Sequence, residues 1–128
     1  MRLALFEPDI PQNLGAAIRL AACFGIGLDL IEPCGFPLTD KALKRAALDY
    51  GDKAALARHA GLAAFCAAPA RAEGRLVLIE TTGALPLHAF AFQPGDTLIV
   101  GRESAGSPPA LIAAAAYCLR IPMAPGLR

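Results

Sequence analysis

Three loops that follow apolar runs carry the residues best suited to bind a ligand. The runs at residues 76–79, 97–100 and 119–121 lead into Glu80-Thr81-Thr82-Gly83, Gly101-Arg102-Glu103-Ser104-Ala105-Gly106 and Pro122-Met123-Ala124-Pro125-Gly126. Glycine lets the backbone approach a ligand closely, and free backbone amides and carbonyls can then recognise a planar base such as adenine. Each loop taken alone is also explained by an ordinary turn. Together they predict a ligand site at neighbouring strand ends.

Two common nucleotide-binding fingerprints are missing from these loops. None is a G-x-G-x-x-G that follows the first strand, and none is a G-x-x-x-x-G-K-S/T phosphate loop. The sequence therefore argues against a classical Rossmann oxidoreductase and against a nucleoside triphosphatase.

Apolar runs and turn signals predict strands that alternate with helices. The predicted strands span residues 2–6, 27–31, 76–79, 97–100 and 119–121. The predicted helices run from Asn13, as N-cap, to Gly25, from Thr39 or Asp40 through Ala47, over residues 58–68, and onward from Pro108-Pro109. Continuous apolar runs suit strands that are buried on both faces. The predicted fold class is α/β, with a mostly parallel sheet and helices on both faces.

Length and composition indicate one apolar domain. Of the 128 residues, 55% are hydrophobic and only 18% are charged, which excludes a disordered chain. The mean hydropathy of +0.47 predicts that some apolar surface is covered in a homodimer. The longest apolar run, residues 110–119, is shorter than the roughly 18 residues of a membrane helix, and no signal peptide is recognised. We therefore expect a cytoplasmic protein.

Cysteine spacing and net charge give no sign of a metal or of a generally basic surface. Cys23, Cys34, Cys66 and Cys118 form no C-x-x-C pair, so reduced thiols and no metal site are expected. The net charge of +1 does not by itself suggest a nucleic-acid partner, which would need a local basic patch.

The first helix and two of the loops together resemble the motifs of SpoU-type RNA ribose 2′-O-methyltransferases. Residues 13–19, Asn-Leu-Gly-Ala-Ala-Ile-Arg, resemble the first motif, N-x-G-x-x-x-R. Residues 101–106 are similar to the second motif, G-x-E-x-x-G, and Ile121-Pro122-Met123 resembles the start of the third. The order and spacing are preserved along all 128 residues. Residues 6–11, 31–36 and 47–50 further resemble the subfamily that modifies the wobble nucleotide of tRNA.

The resemblance implies an S-adenosylmethionine-dependent enzyme that methylates the ribose 2′-hydroxyl of nucleotide 34, C or U, of tRNA and releases S-adenosylhomocysteine. It also implies the SPOUT α/β-knot fold and a homodimer with the first helix at its interface. Two alternatives stay open: 2′-O-methylation of another tRNA or ribosomal RNA site, and a non-catalytic RNA-binding module.

The same resemblance implies a set of site residues. The adenosyl pocket would be lined by Ile79, Thr81, Gly101, Glu103, Gly106, Ile121, Met123 and Leu127, and the catalytic residues would be Arg19, Asn13 and Glu103. Arg19 would take the hydroxyl proton. Alternatively, because a guanidinium stays protonated, Arg19 would hold the target phosphate and stabilise a developing alkoxide.

A basic helix face is the predicted RNA contact beyond Arg19. Lys41, Lys44 and Arg45 have i, i+3 and i+4 spacing, which places them on one face of a helix. Such a face suits RNA phosphates, although a solvated helix face explains the spacing equally well.

Two features depart from the family pattern. The second motif usually carries proline where Arg102 stands and leucine where Ser107 stands. The sequence given stops at Arg128, before the serine and asparagine that complete the third motif and before the segment that threads the knot. We therefore expect residues 1–128 to be a single SPOUT methyltransferase domain, truncated before the end of motif three, from a longer protein.

Overall fold

A computed structural model describes residues 1–39, 41, 45, 55–71 and 74–124. Its strands are β1 (Arg2–Phe6), β2 (Gly27–Ile31), β3 (Ala55–His59), β4 (Leu76–Ile79), β5 (Leu85–Pro86), β6 (Thr97–Val100) and β7 (Tyr117–Arg120). Its helices are α1 (Pro11–Phe24), α2 (Leu62–Cys66) and α3 (Pro109–Ala114), with short 3-10 turns at Pro69–Arg71 and Leu87–Ala89. No helix in this described part is both long and apolar enough to cross a membrane.

The strands form one sheet in the order β3-β2-β1-β6-β4-β7-β5. Every pairing is parallel. In β1, for example, Leu5 lies opposite Leu30 on one side and Val100 on the other. Because the strands share one direction, their carboxyl ends lie at one edge of the sheet. The loops after β1, β4, β6 and β7 therefore meet at this edge.

The sheet separates two apolar cores. One contains Phe6, Ile31 and Ile99 together with Phe65 of α2 and Leu111 of α3. The other packs β1 and β2 against the buried face of α1, through Leu5, Leu28, Leu30, Leu14 and Ile18. Adjacent residues of β1 thus serve opposite cores, which is why both of its faces are apolar. The predicted α/β class with helices on both faces is confirmed.

The sequence of α1 accounts for its position in the fold. Pro11 occupies the first turn, where its missing N–H sacrifices no helical hydrogen bond. Leu14, Ile18 and Ala21 recur at helical spacing and are buried. The helix thereby covers one face of the sheet and presents its first turn to the carboxyl edge.

The structure confirms strands β1, β2, β4 and β6 at their predicted bounds and corrects other elements. Asn13 is not the N-cap, because the helix begins at Pro11 and Ile10 precedes it. The helix predicted over residues 58–68 is wrong in its first part, because residues 55–59 pair with β2. Here a tertiary partner overrides the local pattern.

Other differences concern strand lengths and the second predicted helix. Strand β7 begins at Tyr117, before its predicted start, and β5 was not predicted. Of the helix predicted through Ala47, Lys41 and Arg45 are helical, and the remaining residues beyond Thr39 lie outside the described part of the chain.

Candidate active site

One pocket lies at the carboxyl edge of the sheet, beyond β4, β6 and β7. Its volume is about 340 Å³, and its walls are formed by Ile79, Glu80, Thr81, Val100, Gly101, Arg102, Glu103, Gly106, Ile121 and Met123. Seven of the eight residues predicted for the adenosyl pocket are among these ten. The eighth, Leu127, lies outside the described residues. The parallel sheet thus brings loops that are far apart in sequence to one place.

Two glycines allow the loop after β6 to form a wall of this pocket. A Cβ atom at Gly101 would lie 2.5 Å from Ser107 Oγ and 2.8 Å from the Gly106 carbonyl oxygen, which is too close without a shift. Gly106 has φ +69°, a backbone conformation that glycine adopts without steric cost. The loop closes through paired backbone hydrogen bonds of 3.1 and 2.7 Å between Arg102 and Gly106. Both glycines are therefore required by the shape of the loop.

Glu103 fastens this loop to the beginning of α1. One carboxylate oxygen accepts a 2.8 Å hydrogen bond from the backbone N–H of Asp9, and the other accepts a 2.9 Å hydrogen bond from Nδ2 of Asn13. The Ser104 hydroxyl donates to the Asp9 carboxylate and thereby lowers the pKa of Asp9. The residues of the first and second motifs are thus in direct contact.

Glu80 is a charged residue of the pocket that sequence reasoning did not assign. Its Oε1 accepts hydrogen bonds from the backbone N–H of Thr81 at 2.8 Å and from the Thr81 hydroxyl at 3.2 Å. Burial alone raises the pKa of Glu80, but hydrogen bonds, led by the one from the Thr81 amide, bring it below its ordinary value. The pocket therefore holds a negative charge at neutral pH. The position of Glu80 directly after β4 was the available sequence signal.

Arg19 does not line this pocket in the single chain. It is half-buried in the second half of α1 and is not among the lining residues. Six residues separate it from Asn13, which corresponds to about 9 Å along a helix axis. The structure therefore joins Asn13 to Glu103, whereas Arg19 is not among the residues that line the pocket.

The basic residues predicted to contact RNA are described in part. Lys41 and Arg45 are helical and exposed, and their i, i+4 spacing places them on one helix face. Lys44 lies outside the described residues. The four cysteines are free thiols, and no group of three metal-ligating side chains gathers among the residues described.

A second cavity lies beside the first, at the carboxyl ends of β1 and β6. Its volume is about 260 Å³, and its walls are formed by Phe6, Glu7, Arg102, Ala105, Gly106 and Pro108. Arg102 and Gly106 border both cavities. Nη2 of Arg102 donates a 2.7 Å hydrogen bond to Glu7 Oε2, and Nε donates one of 3.1 Å to the Glu7 carbonyl.

Comparisons with known proteins cover the whole chain. Residues 1–128 match the model of the SpoU rRNA Methylase family. Over 126 residues the chain is 47% identical to a tRNA (cytidine(34)-2′-O)-methyltransferase of Beijerinckia indica subsp. indica, an alignment that covers 98% of this chain and 79% of that protein.

Two solved structures extend the comparison. One concerns the 2-OH methylation of C/U34 on tRNA; it is 41% identical with a TM-score of 0.88, and the match covers 99% of this chain and 82% of that one. The other is an AdoMet-bound rRNA methyltransferase from Sinorhizobium meliloti, 27% identical with a TM-score of 0.84, and the match covers 99% of this chain and 49% of that one.

Proposed function

Because this chain belongs to the SpoU rRNA methylase family, we propose that it transfers a methyl group from S-adenosylmethionine to the ribose 2′-hydroxyl of cytidine or uridine 34 of tRNA. The observation that carries the proposal is the pocket at the ends of β4, β6 and β7. The likeness to a methyltransferase of this specificity extends over nearly the whole chain. Residues 1–128 then act as one methyltransferase domain.

The pocket suits S-adenosylmethionine in its shape and its charge. Ile79, Val100 and Ile121 offer an apolar surface for adenine, and Gly101 lets the loop after β6 pack closely enough on itself to form one wall. The Glu80 carboxylate places a negative charge in a pocket whose ligand carries a positive sulfonium. When bound, the cofactor would supply an activated methyl group for the ribose oxygen, with S-adenosylhomocysteine as the leaving group and the hydroxyl proton released to water.

Asn13 and Glu103 act as positioning residues in this proposal. Their hydrogen bond holds the loop after β6 against α1, so that Gly101 keeps its place in the wall. Arg19 has a different role, because its permanently protonated guanidinium can hold a target phosphate and stabilise negative charge on the ribose oxygen.

The exposed side of α1 supports a homodimer. Leu20 is 48% exposed and Phe24 is 71% exposed, and Ala16 on the same side is small and exposed. We infer that these residues pack against a second copy and place Arg19 of one subunit beside the pocket of the other. Phe24→Glu should convert the dimer to a monomer in analytical ultracentrifugation, and a wild-type monomer would contradict this inference.

We assign the RNA contact to Arg19 and to Lys41, Lys44 and Arg45, whose spacing in the sequence predicts one basic helix face. Lysine and arginine that neutralise phosphates release counterions, so the affinity for tRNA should fall steeply with salt. Removing Lys41 and Arg45 together should reduce the salt dependence as well as the affinity. A tRNA substrate also makes the cytoplasm the expected site of action.

Methyl transfer to bulk tRNA from isotopically labelled S-adenosylmethionine, followed by mapping of the labelled nucleoside, tests the proposal. We expect 2′-O-methylated cytidine or uridine at position 34. Glu32→Gln is a suitable control, because Glu32 pairs with Arg58 and borders neither cavity; this variant should keep full activity.

Two results would contradict the proposal. Label at another tRNA position, or only in ribosomal RNA, would assign the enzyme a different substrate. Absence of S-adenosylmethionine binding in calorimetry would contradict any methyltransferase function that uses this cofactor.

A further inference from the structure

The cavity bordered by Glu7 and Arg102 lies where the chain leaves the sheet in two directions. Strand β1 connects through α1 to β2 on one side, and β6 connects through α3 to β7 on the other. The two helices contribute to opposite cores. The loops after β1 and β6 therefore diverge, and a crevice at such a point is where open parallel sheets bind ligands.

Glu7 adopts an unusual backbone conformation at this crevice. Its φ is +46°, in the left-handed region that side chains other than glycine seldom adopt. In this conformation both its carbonyl oxygen and its carboxylate accept hydrogen bonds from Arg102. Non-glycine residues in this region concentrate at ligand sites. The strained turn therefore presents an acceptor and a donor side by side at one cavity.

Arg102 and Glu7 have donor and acceptor atoms that their contacts with each other do not use. A guanidinium has five N–H donors, and the described contacts of Arg102 with Glu7 use Nε and Nη2. The carboxylate contact of Glu7 with Arg102 uses Oε2. Both side chains are only partly buried, with 31% of Arg102 and 25% of Glu7 exposed. An incoming group can thus meet an acceptor and a donor together.

The geometry points to this cavity as the site that reads the base of the target nucleotide, an inference that rests on the proposed function. Phe6, Ala105 and Pro108 supply apolar walls for the faces of a planar ring. The volume of about 260 Å³ is below the roughly 300–1,000 Å³ of sites for drug-sized ligands, as suits a single pyrimidine. Arg102 and Gly106 border both cavities, so a base here lies next to the donor pocket.

The chemistry of the pair distinguishes the two pyrimidines. Cytosine carries an exocyclic amino group that donates to a carboxylate such as that of Glu7, whereas uracil presents a carbonyl oxygen there. Both bases have an O2 acceptor for Arg102. Glu7 thus favours cytidine over uridine, and Arg102 holds either base.

Binding of anticodon stem-loop RNAs that differ only in cytidine or uridine at position 34 tests this assignment without requiring methyl transfer. Glu7→Gln should lower the ratio of cytidine to uridine affinity by about tenfold, because one amide can either accept or donate. Arg102→Leu should lower the affinity for both RNAs, in each case by about tenfold. Glu32→Gln makes the same chemical change in a carboxylate outside both cavities and should leave the ratio unchanged.

Equal effects of Glu7→Gln on the two RNAs would overturn the inference and reduce the pair to a structural contact. A wild-type protein that binds both RNAs equally would also overturn it. Failure of the proposed function has a different signature, since the wild type would then transfer no methyl group to position 34 whatever the affinity ratio. Calorimetry with S-adenosylmethionine should give the same affinity for wild type and Glu7→Gln, which separates base reading from damage to the donor pocket.

Discussion

Charged side chains have different surroundings at the two ends of the parallel strands. Near the amino ends, Arg75 donates hydrogen bonds of 2.7 and 2.6 Å to the buried Asp96, and its guanidinium lies 4.8 Å from the Phe90 ring centre. At the start of β1, Arg2 donates bonds of 2.7 and 3.0 Å to the buried Asp29 on β2. At the carboxyl ends, Glu80, Arg102 and Glu103 instead border cavities.

This difference separates residues that stabilise the sheet from residues that serve a ligand. A buried charge is tolerated when its partners satisfy it, and removing one partner is then costly. A charge at a cavity keeps capacity for a ligand at the expense of stability. Substitutions near the amino ends should therefore affect unfolding, and substitutions at the carboxyl ends should affect binding.

Asp29→Ala should have the largest effect. Asp29 is 2% exposed and bonds to both Arg2 and, at 2.8 Å, to His59 Nε2. Its loss leaves these groups without their acceptor and should lower the free energy of unfolding by roughly 3–5 kcal/mol. Chemical denaturation measures this change. Unchanged stability, or a loss of S-adenosylmethionine affinity in the fraction that stays folded, would break the contrast between the two ends.

Gly101→Ala should have the next largest effect, and it should lower both the free energy of unfolding and the affinity for S-adenosylmethionine. The new methyl group overlaps Ser107 and the Gly106 backbone, and overpacking of this kind costs about 1–3 kcal/mol. The affinity for S-adenosylmethionine should fall roughly 10- to 100-fold. Gly61→Ala is the matched control, because its Cβ would meet nothing within 4 Å. Equal affinity of the two variants would argue against a binding wall at Gly101.

Glu103→Gln should have a smaller effect. The amide can satisfy only one of the two donors that the carboxylate accepts from, Asp9 N–H and Asn13 Nδ2. We expect about a tenfold loss of methyl transfer with little change in the melting temperature, because these contacts are exposed. If the Asn13 contact carries the effect, Asn13→Ala and Glu103→Gln should combine non-additively in kcat. Additive losses would mean that the two residues act independently.

Acid pH should reveal the smallest difference between the two ends. The Arg75 guanidinium holds the pKa of Asp96 below its ordinary value. The resulting stability is fully present above the unfolded pKa of about 3.9 and is lost as pH falls through the lower folded value. Unfolding measured below about pH 4 should therefore depend less steeply on pH in Asp96→Asn than in wild type. If Glu80→Gln reduced the pH dependence of unfolding more than Asp96→Asn does, the carboxyl ends would contribute more to stability than the amino ends, contrary to the comparison.

Local sequence patterns were sufficient to predict the elements that depend on neighbouring residues alone. The apolar runs of β1, β2, β4 and β6 specify buried strands, because such runs satisfy both faces of a central strand. The segments Gly101–Gly106 and Ile121–Met123 were recognisable as family motifs because the residues of each motif are neighbours in sequence. The error at residues 58–68 arose because strand β3 depends on β2, a partner distant in sequence.

The sequence by itself determined the α/β class and the central strands, because these follow from the short-range order of apolar residues. It indicated residues of the pocket wall through the resemblance of short motifs to a known family. Only the tertiary structure decided that Asn13 bonds to Glu103 rather than capping α1, that Glu80 contributes a charge, and that Glu7 meets Arg102. The contacts of Asn13 with Glu103 and of Glu7 with Arg102 depend on the parallel sheet bringing strand ends to one edge. Side chains separated by 90 and 95 residues then meet through geometry that no local pattern encodes.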